Sequence, residues 1–567
     1  MRFLPPIVPH RGVKKHSTAD GSTSDLEEKK DGRVELQEED CYDQLGFSFP
    51  WIKKWTILTV IFVVQCSMNF NASVYGSSVD QLAAPKEEGG FARSPQSARI
   101  GQAVMLIFYA FGCELWAPWS EEIGRWPVLQ ASLFLVNIWQ ILCALAPNWG
   151  SILVGRALVG LSSAGGSVTL GMVADMWEPS TQQFAVGYVV LSSVGGSVLG
   201  PVFGGFIGRY LPWQWNFWVQ LIFGAVTQVL HFFLVPETRT TVIMDKIAKK
   251  ARKSGENPNL YGPNEIRGPL FKRLPPKELA TTMLRPFRMF LTEPIVLCLS
   301  LLSGFSDALI FTFLEAYHPV YEQWGFGTIA LGLSYLPLLI GYFIAWFTFM
   351  PFFARDQKYM AKHGAEAMQP ERRLYWLLYM APLETIGLFG FAWTSSGPQK
   401  GIPWIAPMIF STLVGMANYA IYMATIDYMV AAYGPYSASA TGGNGFARDL
   451  LAGIAAFYSA PFYEHFETYT LEYPSTILAC IAIVVTIPVY VFYWKGPQIR
   501  ARSKFAQTLA GERTQREGRR ASMVTADQLQ RQDDADAATM KNTANNKNNT
   551  GEPAQFDEEK EEAADRV

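Results

Sequence analysis

The chain has 567 residues, of which 49% are hydrophobic, 14% aromatic and only 17% charged, with a formal net charge of −2. A soluble chain of this length would carry about 25% charged residues, and without a basic excess nucleic acid is not an expected partner. This is the composition of a polytopic membrane protein whose polar residues gather at 1–50 and 496–567.

Residues 1–52 read as a disordered cytosolic tail. They hold no signal-peptide core, so the first apolar segment is expected to serve as an uncleaved anchor. A hydrocarbon core of about 30 Å needs about 20 helical residues. Twelve segments approach that length: 54–78, 99–118, 128–147, 151–176, 184–208, 214–236, 294–318, 327–353, 374–394, 403–430, 438–462 and 472–494. The fold class is therefore an all-α membrane protein of twelve transmembrane helices. A long basic stretch at 237–292 divides it into a six-helix bundle at 53–236 and a second at 293–495. The loops after even-numbered spans carry the Lys and Arg, from Arg239 to Arg288 and from Arg355 to Arg373. That asymmetry puts those loops and both termini in the cytosol, with the cell membrane as the expected location. Residues 496–567, with the Asn-rich run Lys541–Thr550, read as a disordered cytosolic tail. The six cysteines have no paired spacing and are expected to be packing residues. No metal cluster, Walker loop or nucleophile elbow is present, so neither an enzyme nor a cofactor is expected.

Four stretches carry the chemistry. Between spans two and three, Glu121, Gly124 and Arg125 form a charged turn, and Asp175 at the end of span four is within reach of Arg125. Two readings stand: a latch at the cytosolic mouth, or a turn whose ion pairs contribute little. In span four, Arg156 stands four residues before Gly160. Span five contains Gly196, Gly200, Pro201, Gly204 and Gly205. Each interior Gly costs about 1 kcal/mol and a Pro about 3 in a helix, so the pattern implies a bent helix that neighbours approach closely. After span six comes Pro236-Glu237-Thr238.

Taken together, these stretches resemble the ordered motifs of the major facilitator superfamily, over about residues 50–505. The span-five pattern is similar to that of its antiporters. Phe353–Gln357, Gly387–Ser395 and Phe446–Leu450 look like the fungal drug:proton antiporter-1 branch. The chain departs from the usual turn at Glu122 and Trp126, where basic residues are common. The resemblance implies the fold of two six-helix pseudo-repeats. It also implies proton-coupled export of small organic compounds, including drugs and fungal metabolites, with a role for Arg156 in proton coupling.

Charge at bilayer depth is expensive, so the ionisable residues within spans are the mechanistic candidates. Glu114, Asp307 and Glu315 are candidate proton carriers, Glu114 equally a member of the latch. Asp307 and Glu315 lie eight residues apart, about 12 Å along one helix face. Glu384 and Arg448, with Asn69, Asn71, Asn418 and Tyr422, are candidate cavity residues. Such a cavity suits bulky amphipathic or cationic compounds. The expected partners are a small organic substrate, protons and lipid, and the protein is expected to be a monomer. Uptake of a nutrient, transport of a polyamine or organic acid, and a membrane sensor without transport remain alternatives.

Overall fold

The computed structural model describes residues 33–503, apart from 178–180, 270–272, 274, 364–367, 434–435 and 467–469, together with 505–506. The expected tails at 1–32 and 507–567, including the Asn-rich run, lie outside the described residues. Long helices dominate: α1 (Trp51–Ala83), α2 (Pro95–Glu122), α3 (Arg125–Ala144), α4 (Trp149–Met176), α5 (Gln182–Tyr210), α6 (Gln214–Leu234), α7 (Pro294–Glu322), α8 (Thr328–His363), α9 (Pro370–Thr394), α10 (Ile405–Tyr433), α11 (Ser437–Glu464) and α12 (Glu472–Arg500). Among the described residues, eleven are long and apolar enough to cross a membrane. The twelfth, α11, falls short because it carries Arg448, Asp449 and several polar residues, yet it packs centrally between α2 and α7.

Local chemistry sets the helix starts. Ser94 Oγ accepts the Ser97 amide at the head of α2, and Asn148 Oδ1 accepts the Ser151 amide at the head of α4. Proline opens α2, α7 and α9, where its missing N–H costs nothing. The α4 helix breaks at Ser163-Ala164, just before Gly165-Gly166. Ser132 of α3 mends the break: its hydroxyl donates to the Ser162 carbonyl and accepts the Ala164 amide.

The contacts repeat with a six-helix offset. In the first half α1 packs on α5, α2 on α4, and α3 on α6; in the second α7 packs on α11, α8 on α10, and α9 on α12. Between the halves, α2 meets α11 and α5 meets α8, two seams that exchange under the same pseudo-symmetry. The outer helices leave large apolar side chains uncovered, among them Phe134 and Ile141 on α3, Phe233 on α6, and Ile481, Val484 and Ile487 on α12. Lipid is the solvent that suits them.

The glycine run of α5 serves mainly its own half. Side chains on Gly196, Gly200 and Gly204 would collide with Cys66, Ser73 and Ser77 of α1. Gly205 faces the other way, across the halves. A Cβ there would stand 2.9 Å from the Thr328 carbonyl oxygen and 3.1 Å from Gly332 Cα, both on α8. The carbonyl of Pro201 meets the same Gly332.

Where the sequence predicts a disordered tail as far as residue 52, residues 33–49 instead fold onto the connector between the halves. Val34–Glu35 pairs in parallel with Leu260–Tyr261. Leu36, Cys41 and Leu45 bury themselves against Met244 and Ala248 of the helix Thr240–Ser254. Burial and the neighbouring Asp40 and Glu38 push the Cys41 thiol up to about 11, so it packs as a neutral group. Arg252 grips Glu265 with two bonds of 2.7 and 2.6 Å and lies over the Tyr261 ring. The connector then contributes the helix Pro276–Thr292, whose Phe287 packs on Phe111 of α2 and Phe446 of α11. The end of the bundle that carries this assembly is called the connector end below, and the opposite one the far end.

Candidate functional site

Three groups of charged side chains lie along the bundle, one near each end and one between.

At the connector end, Arg125 is buried, with its Nε 3.1 Å from Asp175 Oδ2 and its Nη1 2.6 Å from Ser120 Oγ. Arg239 reaches the other Asp175 oxygen at 3.5 Å. Glu121 enters through its backbone, its carbonyl accepting from Arg239 Nε at 3.2 Å. Glu237, which the sequence marks only as part of a helix boundary, organises the turn. Its Oε1 accepts the amide of Arg125 at 2.9 Å and its Oε2 that of Trp126 at 3.3 Å, so it caps the N-terminus of α3. Gly124 makes this possible, with φ of +119° and the Glu237 carboxylate where a side chain would go. The second half has a counterpart. Asp427 of α10, equivalent to Asp175, pairs with Arg373. Arg355, near the end of α8, pairs with Asp356 instead. Asp427 also accepts from Gln183 of α5 at 2.7 Å, and Tyr419 donates to the Gly187 carbonyl at 2.9 Å. Both bonds cross between the halves.

At mid-depth, Arg448 of α11 is the hub. Its Nη2 lies 3.0 Å from Asp449 Oδ1, its Nε 3.9 Å from Asp307 Oδ2 of α7, and its guanidinium 4.2 Å from the Tyr422 ring centre. One guanidinium nitrogen, Nη1, is buried without a partner among the described residues. Glu114 of α2 is buried beside Gly442 of α11, whose added Cβ would be 2.8 Å from Glu114 Oε1. It makes no ion pair among the described residues. Toward the far end, Glu315 of α7 meets Arg99 of α2 at 2.6 Å. Glu114, the Arg448 hub and Glu315 thus follow one another along the seam of α2, α7 and α11.

Arg156 stands apart from these carboxylates. It is fully buried in the first half, bonded to Asn71 Oδ1 at 3.0 Å, the Asn71 carbonyl at 3.2 Å and the Gly101 carbonyl at 3.3 Å, with the Tyr75 ring centre 4.7 Å away. Asn69 spends its amide on the Gln65 carbonyl of its own helix. Glu384 of α9 accepts from Ser306 of α7, and Asn418 of α10 donates to the same hydroxyl at 3.2 Å. Of the predicted cavity residues, Arg448 and Tyr422 therefore come together, Glu384 and Asn418 form a second set, and Asn71 joins Arg156.

Sequence reasoning passes over Arg99, Gln183 and Arg373. Each is polar or charged at a helix end, where such residues are ordinary. Only the fold shows partners 216, 244 and 54 positions away.

The comparisons with known proteins agree with this architecture. Residues 55–456 match the family model described as Major Facilitator Superfamily. The transporter paaT of Penicillium rubens is 30% identical over 81% of this chain and 80% of its own length. The efflux pump atB of Aspergillus terreus is 32% identical over 72% of this chain and 84% of its own. An MFS transporter of the ascochitine biosynthesis cluster in Didymella fabae is 27% identical, over 82% and 83%. Among solved structures, a proton:xylose symporter, XylE, covers 79% of this chain and 96% of its own with a TM-score of 0.51 at 15% identity, which speaks for the fold alone. With two six-helix halves, the charged turn at Arg125 and these relatives, the chain belongs to the major facilitator superfamily and is a membrane transporter with fungal efflux-type relatives.

Proposed function

We propose that the protein exports a small organic compound in exchange for protons, by alternating access. The observation that carries this reading is the buried hub at the seam: one Arg448 against Asp307 and Asp449, with Glu114 nearby and in no ion pair among the described residues. Three acids around one base leave a surplus of negative charge where water is scarce, and a proton is the smallest counter-charge that can relieve it. When a proton leaves Glu114 or Asp307, the uncompensated carboxylate favours an arrangement in which it meets water or a cationic substrate. Glu315 takes part at the far end, where losing its charge frees Arg99. Arg156 acts more remotely, as a fixed positive charge held by backbone carbonyls at the root of α1 and α2.

Alternating access then has its contacts. Arg125, Asp175, Glu121 and Gly124 hold the connector-end turn, and Gln183–Asp427 and Tyr419–Gly187 close that end between the halves. Gly205 against Gly332 and Arg99 against Glu315 close the far end. Gly196, Gly200, Pro201 and Gly204 keep α5 tight against α1 so that the half moves as one body. The basic connector end faces the cytosol, the protein sits in the cell membrane, and it works as a monomer. The names of the relatives favour a fungal metabolite over a nutrient as cargo.

The test is transport by purified protein in sealed vesicles, with ascochitine as the first compound tried and a lipophilic cationic dye as the second. An imposed proton gradient should drive accumulation, and substrate movement should in turn move protons. Transport indifferent to the gradient and to its collapse by an ionophore would refute antiport. Asp307→Asn and Glu114→Gln should each weaken the coupling while substrate exchange without a gradient persists.

A further inference from the structure

The other charged residues of α9, Glu371, Arg372 and Arg373, gather in its first turn and pair with Arg500, Asp356 and Asp427, whereas Glu384 lies well inside the helix and is fully buried. Its Oε1 accepts a hydrogen bond from Ser306 of α7. Ser306 in turn accepts from Asn418 Nδ2 of α10. That leaves Glu384 Oε2 and Asn418 Oδ1 buried, both of them acceptors, with no donor among the described residues. Buried acceptors are almost always satisfied, and an ionised carboxylate donates nothing.

Among the described residues, no cation pairs with it. Asp307, next to Ser306 on α7, is directed at Arg448. The charged residue of α10, Asp427, is nine positions from Asn418 and bound to Arg373. On α12, which packs along α9, Glu472, Lys495 and Arg500 stand at the two ends. Glu472 holds Lys400, and Arg500 holds Glu371. A lone negative charge here would be among the most costly in the molecule. A proton on Oε2 removes the charge and turns one of the two stranded acceptors into a donor.

The site is also mechanically joined to the Arg448 hub. Ser306 and Asp307 are consecutive on α7. Asn418 and Tyr422 are one turn apart on the same face of α10, and Tyr422 lies beneath Arg448. A shift of α7 or α10 that rearranges the hub must disturb the Ser306–Glu384–Asn418 chain.

We infer that Glu384 is a second proton-binding site, separate from the Arg448 hub, filled in the arrangement described here and emptied when α7 and α10 move. The inference rests on the coupled-antiport reading for its purpose, but its occupancy can be measured without any substrate. If both sites work, the exchange moves more than one proton per cycle.

The experiment uses the full-length purified protein and protons as the probe. Infrared difference spectra over a pH series should show the band of a protonated, poorly hydrated carboxyl group. Glu384→Gln should remove it and Asp307→Asn should leave it, with thermal midpoints showing that both variants fold. An identical band in Glu384→Gln, or a band removed by sodium at constant pH, would overturn the inference.

A second readout places spin labels at positions 96 and 457, which touch at the far end. The distance between them should change with pH in the parent and stay at its short value in Glu384→Gln, which mimics the protonated carboxyl. A pH response unaltered by Glu384→Gln would also overturn the inference. If the band behaves as expected but vesicle transport ignores the proton gradient, the site stands and the antiport reading falls.

Discussion

The guanidinium of Arg99 on α2 lies 2.6 Å from the carboxylate of Glu315 on α7, one charge from each six-helix half, both largely withdrawn from solvent. Removing one partner of such a pair leaves the other charge stranded, which typically costs about 3–5 kcal/mol. Arg99→Ala is therefore expected to lower stability by about 3 kcal/mol. Glu315→Gln in the same chain should recover part of the loss. A double-mutant cycle on detergent-solubilised protein checks it, with a coupling of at least about 1 kcal/mol expected.

Gly124→Ala should be more damaging than an exposed turn substitution normally is. The residue has φ of +119°, and the added methyl would strike the Glu237 carboxylate that caps α3. Backbone strain of this kind costs about 1–3 kcal/mol, and the lost cap about 1 more. Thermal unfolding of the variant beside Glu237→Gln separates the two: the second loses only the charge of the cap and should fall less.

Gly200→Ala and Gly205→Ala should have different consequences although they lie five residues apart. Gly200 abuts Ser73 and Val74 within the first half, so its substitution should lower the yield of folded protein. Gly205 abuts Thr328 and Gly332 of the second half. Its substitution should leave that yield nearer the parent's and hinder closure of the far end, seen as a longer distance between labels at 96 and 457. Equal effects of both changes on the label distance would contradict this division.

Most of the architecture is legible in the sequence because membrane helices announce themselves by apolar length. The exception is instructive: α11 reads poorly because Arg448 and Asp449 interrupt it, and those are the residues that make it central. The turn at Arg125 is legible because its spacing is local. The fold of residues 33–49 is not, since Leu36, Cys41 and Leu45 are too few to signal a core and their partners, Met244 and Ala248, are about two hundred residues on. Glu384 is visible as a charge in an apolar segment, but its isolation appears only once α7 and α10 are in place. The six-plus-six division is visible; that Arg373 and Asp427 fill the roles of Arg125 and Asp175 is not.

Glu265 offers a pH-dependent handle at the connector. Its bidentate bond to Arg252 holds the carboxyl below the usual carboxylate range. A carboxyl lowered on folding stabilises fully above its unfolded value, near 4.5, and loses that contribution as pH falls through its folded value. Hydrogen exchange at Val34 and Leu36, whose amides donate to the Asn259 and Tyr261 carbonyls, corrected for intrinsic rate, should therefore speed up between pH 6 and pH 3. In Glu265→Gln, exchange should already be faster at pH 6 and change less on acidification.

The docked segment at 33–49 also limits how far the halves can travel. Sequence length suggests a slack tether between α6 and α7, but its first part, through Arg267, is bound to the N-terminal segment, which rests on the end of α4. Its last part, from Pro276, is bound to α11. What spans the gap is Gly268–Pro275, and within it Arg273 is moored to Glu122 of α2 at 3.2 Å. A stretch that short reaches about 28 Å when fully drawn out, so the chain itself sets a ceiling on the stroke.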